Sequence, residues 1–165
     1  MTGLVEDLYE RDFYAWAHDQ AAALRRLADA RANVGLDIPN LVEEVEGLAR
    51  SERNAVVSRL ERLIEHLLKI EHSPAAWPCR GWLTSIRGAR AETLRHLTAA
   101  IPQDVEPDLQ AVYEDGRYAA VQGLLDHGEV APAGDLPDLC PYTLDQLLDR
   151  GWLPVNRHGL VDDPP

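Results

Sequence analysis

One uninterrupted helical pattern runs from Asp37 to His72, and its single proline, Pro39, falls in the first turn. Apolar residues recur along this segment three or four positions apart, which places them on one face of an α-helix. Asp37 is suited to cap the helix, because its carboxylate can accept hydrogen bonds from the unpaired amides of the first turn. A helix of this length has to bury its apolar face against other helices, so the pattern predicts an all-helical fold.

Three other segments have the same periodicity, and prolines or glycines stand where it stops. We expect further helices over residues 10–31, 83–101 and 107–127, followed by a loop over 128–141. Thr143 and Gln146 are three residues apart and predict a capping box for a short helix that Gly151 ends. The sequence therefore predicts an all-α fold, an antiparallel bundle of four long helices with a short C-terminal helix packed on it.

The chain of 165 residues has the usual length of one domain. We expect a single helical domain over residues 1–155 and a flexible tail over residues 156–165. No apolar stretch reaches the roughly 18 residues of a membrane span, and the N-terminus lacks the features of a secretion signal, so we expect a cytoplasmic protein without membrane contact. Cys79 and Cys140 form no CxxC pair and predict neither a redox site nor a disulfide framework.

The net charge of -12 is unevenly distributed along the chain. Residues 50–99 contain nine Lys or Arg and five Asp or Glu, whereas the remainder contains seven and 23. Ion pairing between helices explains this basic centre more simply than an anion site, although the sequence leaves both open. The acidic balance of the whole chain argues against nucleic acid as a partner.

A charged row on the long helix lies opposite the apolar stripe that contains Leu41 and Leu48. Charged side chains three or four positions apart pair with one another on an exposed helix surface. We therefore expect the row to form a solvated face, and its members are Glu43, Glu46, Arg50 and Arg53.

Three polar side chains near helix centres, those of Gln20, Glu52 and Arg90, fall inside the apolar faces. The midpoints of antiparallel helices lie at a similar level, so we expect Glu52 to meet Arg90, with Gln20 satisfying the remaining hydrogen-bonding groups. Burying an unpaired charge costs several kcal/mol, so these groups must either be paired or line a wet cavity. The sequence leaves open a buried pair that fixes helix register and a small polar pocket with affinity for anions.

Two functions remain open on these residues. The first is a binding or interaction module for a protein partner or a small anionic ligand, with Gln20, Arg59 and Arg90 as binding residues, and we favour it. The second is a hydrolase or acid–base enzyme with Glu52 as base and His66 as proton carrier. No inward Glu-x-x-His pair, phosphate-binding glycine loop or nucleophile motif occurs, so we expect no metal and no cofactor. A helix about 50 Å long at 1.5 Å per residue could extend beyond its neighbours, which leaves a homodimer open.

Five segments in order along the chain resemble the bacterial family catalogued as domain of unknown function 29. They are Asp12–Trp16, the run LVEEVEGLARSER, His66–Lys69, Trp82 with Ile86, and the run CPYTLDQLL. The resemblance spans about Tyr9 to Pro154 and implies a small helical protein, while the family name assigns no activity. It also implies importance for the positions that match the family pattern, which are Phe13, Tyr14, Trp16, Glu43, Glu44, Glu46, Ser51, Glu52, Arg53, His66, Lys69, Trp82, Arg90, Cys140, Pro141, Tyr142 and Gln146.

Overall fold

The structure, a computed structural model, describes residues 3–30, 35–75 and 79–159, apart from the side chains of residues 3–6 and 79. All regular secondary structure within these ranges is helical, which confirms the all-α prediction. None of the helices in this part of the chain is long and apolar enough to cross a membrane. The elements are α1 (Gly3–Arg11), α2 (Phe13–Asp29), α3 (Ile38–His72), α4 (Cys79–His96), α5 (Ile101–Val105), a 3-10 turn (Glu106–Asp108), α6 (Leu109–Asp126), α7 (Val130–Gly134) and α8 (Leu144–Leu148).

The chain divides into two compact units. The first unit contains Met1–Val56 and Leu97–Val105, and the second contains Val57–His96 and Glu106–Pro165. Helix α3 begins in the first unit and ends in the second.

The first predicted helix is divided in two at Asp12. The buried carboxylate of Asp12 accepts hydrogen bonds from the backbone amides of Ala15 and Ala100, both at 2.9 Å. The first bond caps α2 and the second holds the residues before α5, so the helix is interrupted where apolar periodicity alone predicted continuity. The predicted end of this helix at Arg31 lies outside the described residues.

Helix α3 begins as predicted, with the Asp37 carboxylate 3.4 Å from the amide nitrogen of Asn40. In the first unit, however, Leu41 and Leu48 are 39% and 50% exposed, so the prediction that they face the core is wrong. The buried positions of α3 in that unit are Ile38, Ala49 and Val56, which lie farther round the helix.

The second unit is built around the C-terminal half of α3. The side chains of this half that face the core are almost completely buried: Leu60, Leu63, Ile64, Leu67 and Ile70. Helix α6 comes so close to α3 that a Cβ atom at Gly116 would lie 2.7 Å from the carbonyl oxygen of Glu61. The absence of a side chain at Gly116 therefore allows this backbone-to-backbone contact.

The later helix boundaries differ from the predicted ones. Helix α4 ends at His96, and Pro102 occupies the second position of α5, where a proline leaves no intrahelical hydrogen bond unmade. The region predicted as a loop before Cys140 contains the short helix α7. The capping box of Thr143 and Gln146 is confirmed at the start of α8, but α8 ends at Leu148 without Gly151 as its cap.

The predicted flexible tail is anchored over its first residues. The buried Asn156 side chain donates to the carbonyl oxygens of Ile70 at 2.6 Å and Ser73 at 2.9 Å. These bonds satisfy acceptors that the end of α3 leaves unpaired. Residues 156–159 of the predicted tail therefore include contacts with α3, while residues 160–165 lie outside the described part.

Candidate functional site

Arg90 is buried, as predicted, but its partners are main-chain carbonyls and not a carboxylate. Its Nε donates to Leu147 at 2.9 Å, Nη1 to Trp152 at 2.7 Å and Nη2 to Gln146 at 3.1 Å. Only 1% of the residue is exposed, and burial lowers the pKa of its guanidinium. The predicted pair with Glu52 is replaced by an anchor that ties α4 to α8 and the segment after it.

The other predicted site residues are divided between the two units. Gln20 and Glu52 are partly buried in the first unit, whereas Arg59 and His66 are partly buried in the second. Neither unit by itself therefore contains the acid–base pair of Glu52 and His66. The Nδ1 atom of His66 is buried without a hydrogen-bond partner in the described part of the chain, and burial lowers the pKa of this imidazole.

The charged row on α3 is only partly a solvated face. Glu43 and Arg50 are exposed, as predicted, but two members bind other helices. Glu46 pairs with Arg25 of α2, and Arg53 pairs with Asp104 of α5. These ion pairs link the helices of the first unit, so for those two members the prediction is corrected.

Asp104 also receives a hydrogen bond from Tyr14, whose ring packs against His18. Burial alone would raise the pKa of Asp104, but the bonds from Arg53 and Tyr14 outweigh it and lower that pKa. Burial, together with the bond to Asp104, raises the pKa of Tyr14. Sequence analysis missed Asp104, since nothing in the local pattern indicates a partner 51 residues after Arg53.

A groove of about 260 Å³ lies between α3 and α4 in the second unit. Arg59 and Arg62 of α3 line one side, three positions apart and therefore on one surface of the helix. Helix α4 provides the rest of the lining, which is Ser85, Gly88, Ala89 and Glu92. The groove combines two guanidinium groups with a hydroxyl group and an unobstructed floor.

Glu92 is the carboxylate of this groove, and two arginines share it. Its oxygens lie 3.6 Å from Arg59 Nε and 3.7 Å from Arg95 Nη2. Both distances exceed those of a strong charge-assisted hydrogen bond, and the Glu92 side chain is 55% exposed. Glu92 is therefore loosely held and can be displaced from Arg59 at little cost.

A second cavity, of about 320 Å³, lies at the C-terminal end of α3 in the same unit. It is lined by two histidines, two oppositely charged side chains and the apolar surface of α7, namely His72, His158, Asp135, Arg157, Ala131 and Pro132. His72 is 2% exposed, and burial, followed by the nearby Arg157, lowers the pKa of its imidazole. His72 is therefore neutral near pH 7.

Glu71 fixes the C-terminal segment beside this cavity. Its Oε1 accepts from Nε and Nη2 of Arg157, both at 3.1 Å, and its Oε2 accepts from the Tyr142 hydroxyl at 2.8 Å. Burial, together with the charge of Glu71, raises the pKa of Tyr142 and keeps that hydroxyl a donor. Sequence analysis missed this cavity because it assigned Arg157 and His158 to a free tail.

Neither cavity resembles a metal centre. Within the described ranges, no three His, Cys, Asp or Glu side chains converge in a way that could hold a metal ion. The side chains that line the two cavities offer hydrogen bonding and charge pairing.

Comparisons with known proteins agree with the helical fold. The model of the family described as domain of unknown function DUF29 matches residues 8–153. The structure is similar to that of an alpha-helical protein of unknown function from Rhodospirillum rubrum, with a TM-score of 0.76 and 24% sequence identity over 87% of this chain and 90% of that chain. At that identity the likeness shows the fold alone. No curated protein matches the chain.

Proposed function

The chain belongs to the family of domain of unknown function DUF29, whose description assigns no activity, and we propose that its second unit binds a small anion in the groove between α3 and α4. One observation carries this proposal: the side chains of Arg59 and Arg62, one helical turn apart, line the same groove. In this proposal the binding module that we favoured from the sequence uses the predicted Arg59 but neither Gln20 nor Arg90.

The chemistry of the groove favours an anion with several oxygen atoms. A guanidinium group presents its donors in a plane that matches a carboxylate or a phosphate. The Ser85 hydroxyl on the opposite side of the groove adds one donor. A volume of about 260 Å³ suits a small molecule, because it is below the usual range for drug-sized ligands.

Gly88 keeps the floor of the groove open. A Cβ atom built on this residue would meet nothing within 4 Å, so a side chain there would project into free space. An anion entering the groove would compete with the loosely held Glu92 for contact with Arg59. Removing the charge of Glu92 should therefore strengthen anion binding, whereas removing the charge of Arg62 should weaken it.

Isothermal titration of the full chain with inorganic phosphate tests the proposal. We expect saturable binding that Arg62→Gln weakens about tenfold and Glu92→Gln strengthens several-fold, since each change removes one charged contact. Gly88→Gln should block the groove. Gly81→Gln is its matched control, because Gly81 also lies on α4 and a Cβ atom there would also meet nothing within 4 Å, but Gly81 does not line the groove.

Two results would overturn the anion site. One is the absence of saturable phosphate binding, and the other is an equal loss of binding in Gly88→Gln and Gly81→Gln. Circular dichroism of each variant separates a blocked groove from an unfolded chain.

We also propose that α2, α3, α4 and α6 form an antiparallel bundle that folds as one domain. Three contacts support alternating helix directions: Arg25 with Glu46 between α2 and α3, Arg59 with Glu92 between α3 and α4, and Trp82 with His127 between α4 and α6. A single cooperative unfolding transition seen by both fluorescence and circular dichroism is expected, and two separate transitions would contradict one domain.

A further inference from the structure

The cavity at the end of α3 is a separate candidate for a ligand site. It shares no lining residue with the groove between α3 and α4. Arg157 and His158, which line it, follow the last residue that the family model matches. Binding in this cavity can therefore succeed or fail independently of the proposed anion site.

Several hydrogen-bond donors in the wall of this cavity are already used. Nε and Nη2 of Arg157 both donate to Glu71, which also neutralises the charge of that guanidinium. The Nε2 atom of His158 lies 2.9 Å from the carbonyl oxygen of His72. A carbonyl oxygen only accepts, so Nε2 must carry a hydrogen, and whenever the ring is neutral Nδ1 presents a lone pair.

The charged group of the wall that remains unpaired is an acceptor. Asp135 is exposed, and its carboxylate has no ion pair or side-chain hydrogen bond within the described part of the chain. The charges of Arg157 and Glu71 cancel, and burial keeps His72 neutral near pH 7. The wall therefore carries one net negative charge and the His158 lone pair, next to the apolar surfaces of Ala131 and Pro132.

We infer that this cavity binds a small primary amine in its ammonium form. The ammonium group donates to the Asp135 carboxylate and to Nδ1 of His158, and the carbon skeleton packs against Ala131 and Pro132. A carboxylate in the same place would face Asp135 and be repelled. A neutral molecule would displace water from the Asp135 carboxylate without supplying an opposite charge, which costs free energy.

Three molecules of the same shape and different charge test this inference. Benzylamine, benzyl alcohol and benzoate are titrated separately into the full-length chain at about pH 7.5, where free histidine is mostly neutral, and amide resonances are followed by NMR. We expect benzylamine to shift the amide resonances of residues 131, 133–135 and 157–158 in a saturable way, and to bind at least about tenfold more tightly than the other two.

Asp135→Asn keeps the shape of the cavity and removes its charge. This variant should weaken benzylamine binding about tenfold, whereas Asp115→Asn, at an exposed carboxylate of α6 outside the cavity, should leave it unchanged. Equal binding of benzoate, unchanged binding by Asp135→Asn, or no saturable shift with benzylamine would each overturn the inference. A failure of phosphate binding at the groove would not affect this result.

Discussion

The same residue type has opposite roles at two positions of the second unit. Arg90 is buried, and Nε, Nη1 and Nη2 each donate to a backbone carbonyl, so it has little capacity for a ligand. Arg62 is exposed on the groove, where its charge is accessible to an anion. The environment of each guanidinium, and not the identity of the residue, decides which of the two can bind.

Replacing Arg90 tests its role as an anchor. Arg90→Met keeps an unbranched side chain but leaves three carbonyls without their donors, so we expect it to lower the free energy of unfolding by about 3 kcal/mol. Arg87→Met, at an exposed position of the same helix, should change it by less than about 0.5 kcal/mol. Urea denaturation of both variants provides the comparison, and equal midpoints would show that Arg90 is not an anchor.

At the scale of single elements, the outcome of prediction depended on how local the determining contact was. The caps at Asp37 and Thr143 involve residues three positions away, and the sequence predicted both. The break at Asp12 was missed, although an aspartate before a helical turn is a recognisable capping signal. Its second partner, Ala100, is 88 residues distant, and no periodicity could indicate it.

For the candidate sites, too, the success of prediction depended on how local the determining contact was. Arg59 was predicted as a binding residue, and Arg62 could have been added from its position one turn later on the same helix. The burial of Arg90 was predicted from its place in an apolar face. Its partners were not, because main-chain carbonyls exist at every residue and carry no sequence signal. The cavity beside His72 forms because residues 156–158 return to α3. No pattern in the sequence indicates that return.

Two glycines distinguish a close helix contact from an open helix surface. Gly116→Ala would bring its Cβ to within 2.7 Å of the Glu61 carbonyl oxygen and 2.8 Å of the Ile64 side chain, so α6 must move away from α3. We expect this change to lower the free energy of unfolding by about 2 kcal/mol.

Gly88→Ala is the matched substitution on α4, with no atom within 4 Å of the new Cβ. It should raise the free energy of unfolding by about 0.5–1 kcal/mol, because alanine favours the helix more than glycine does. Thermal and urea unfolding measure both effects, and a stabilising Gly116→Ala would contradict the close contact.

At the scale of the whole molecule, arginines pair with some of the carboxylates of a strongly acidic chain. Arg25, Arg53 and Arg157 pair with carboxylates of other segments, and their partners are Glu46, Asp104 and Glu71. An acidic chain of this kind can therefore contain cavities of either polarity, and net charge alone does not predict what each one binds.

The stability of the whole chain should fall as the solution is made acidic. Burial lowers the pKa of His72 in the folded state, while the unfolded chain keeps the usual value of about 6.5. Protons therefore bind the unfolded chain first, so the contribution of His72 is complete above about pH 6.5 and is lost as the pH falls towards the folded-state pKa. His66, whose pKa burial also lowers, adds to the effect in the same direction.

Urea unfolding at about pH 7.5 and about pH 5.5 measures this loss. His72→Gln should reduce the difference between the two midpoints, because glutamine cannot bind the proton that favours unfolding. His96→Gln, at an exposed position of α4, should leave the difference as it is in the unaltered chain. If the urea midpoints of His72→Gln and His96→Gln differed equally between the two pH values, the burial of a neutral imidazole at the end of α3 would not control stability in acid.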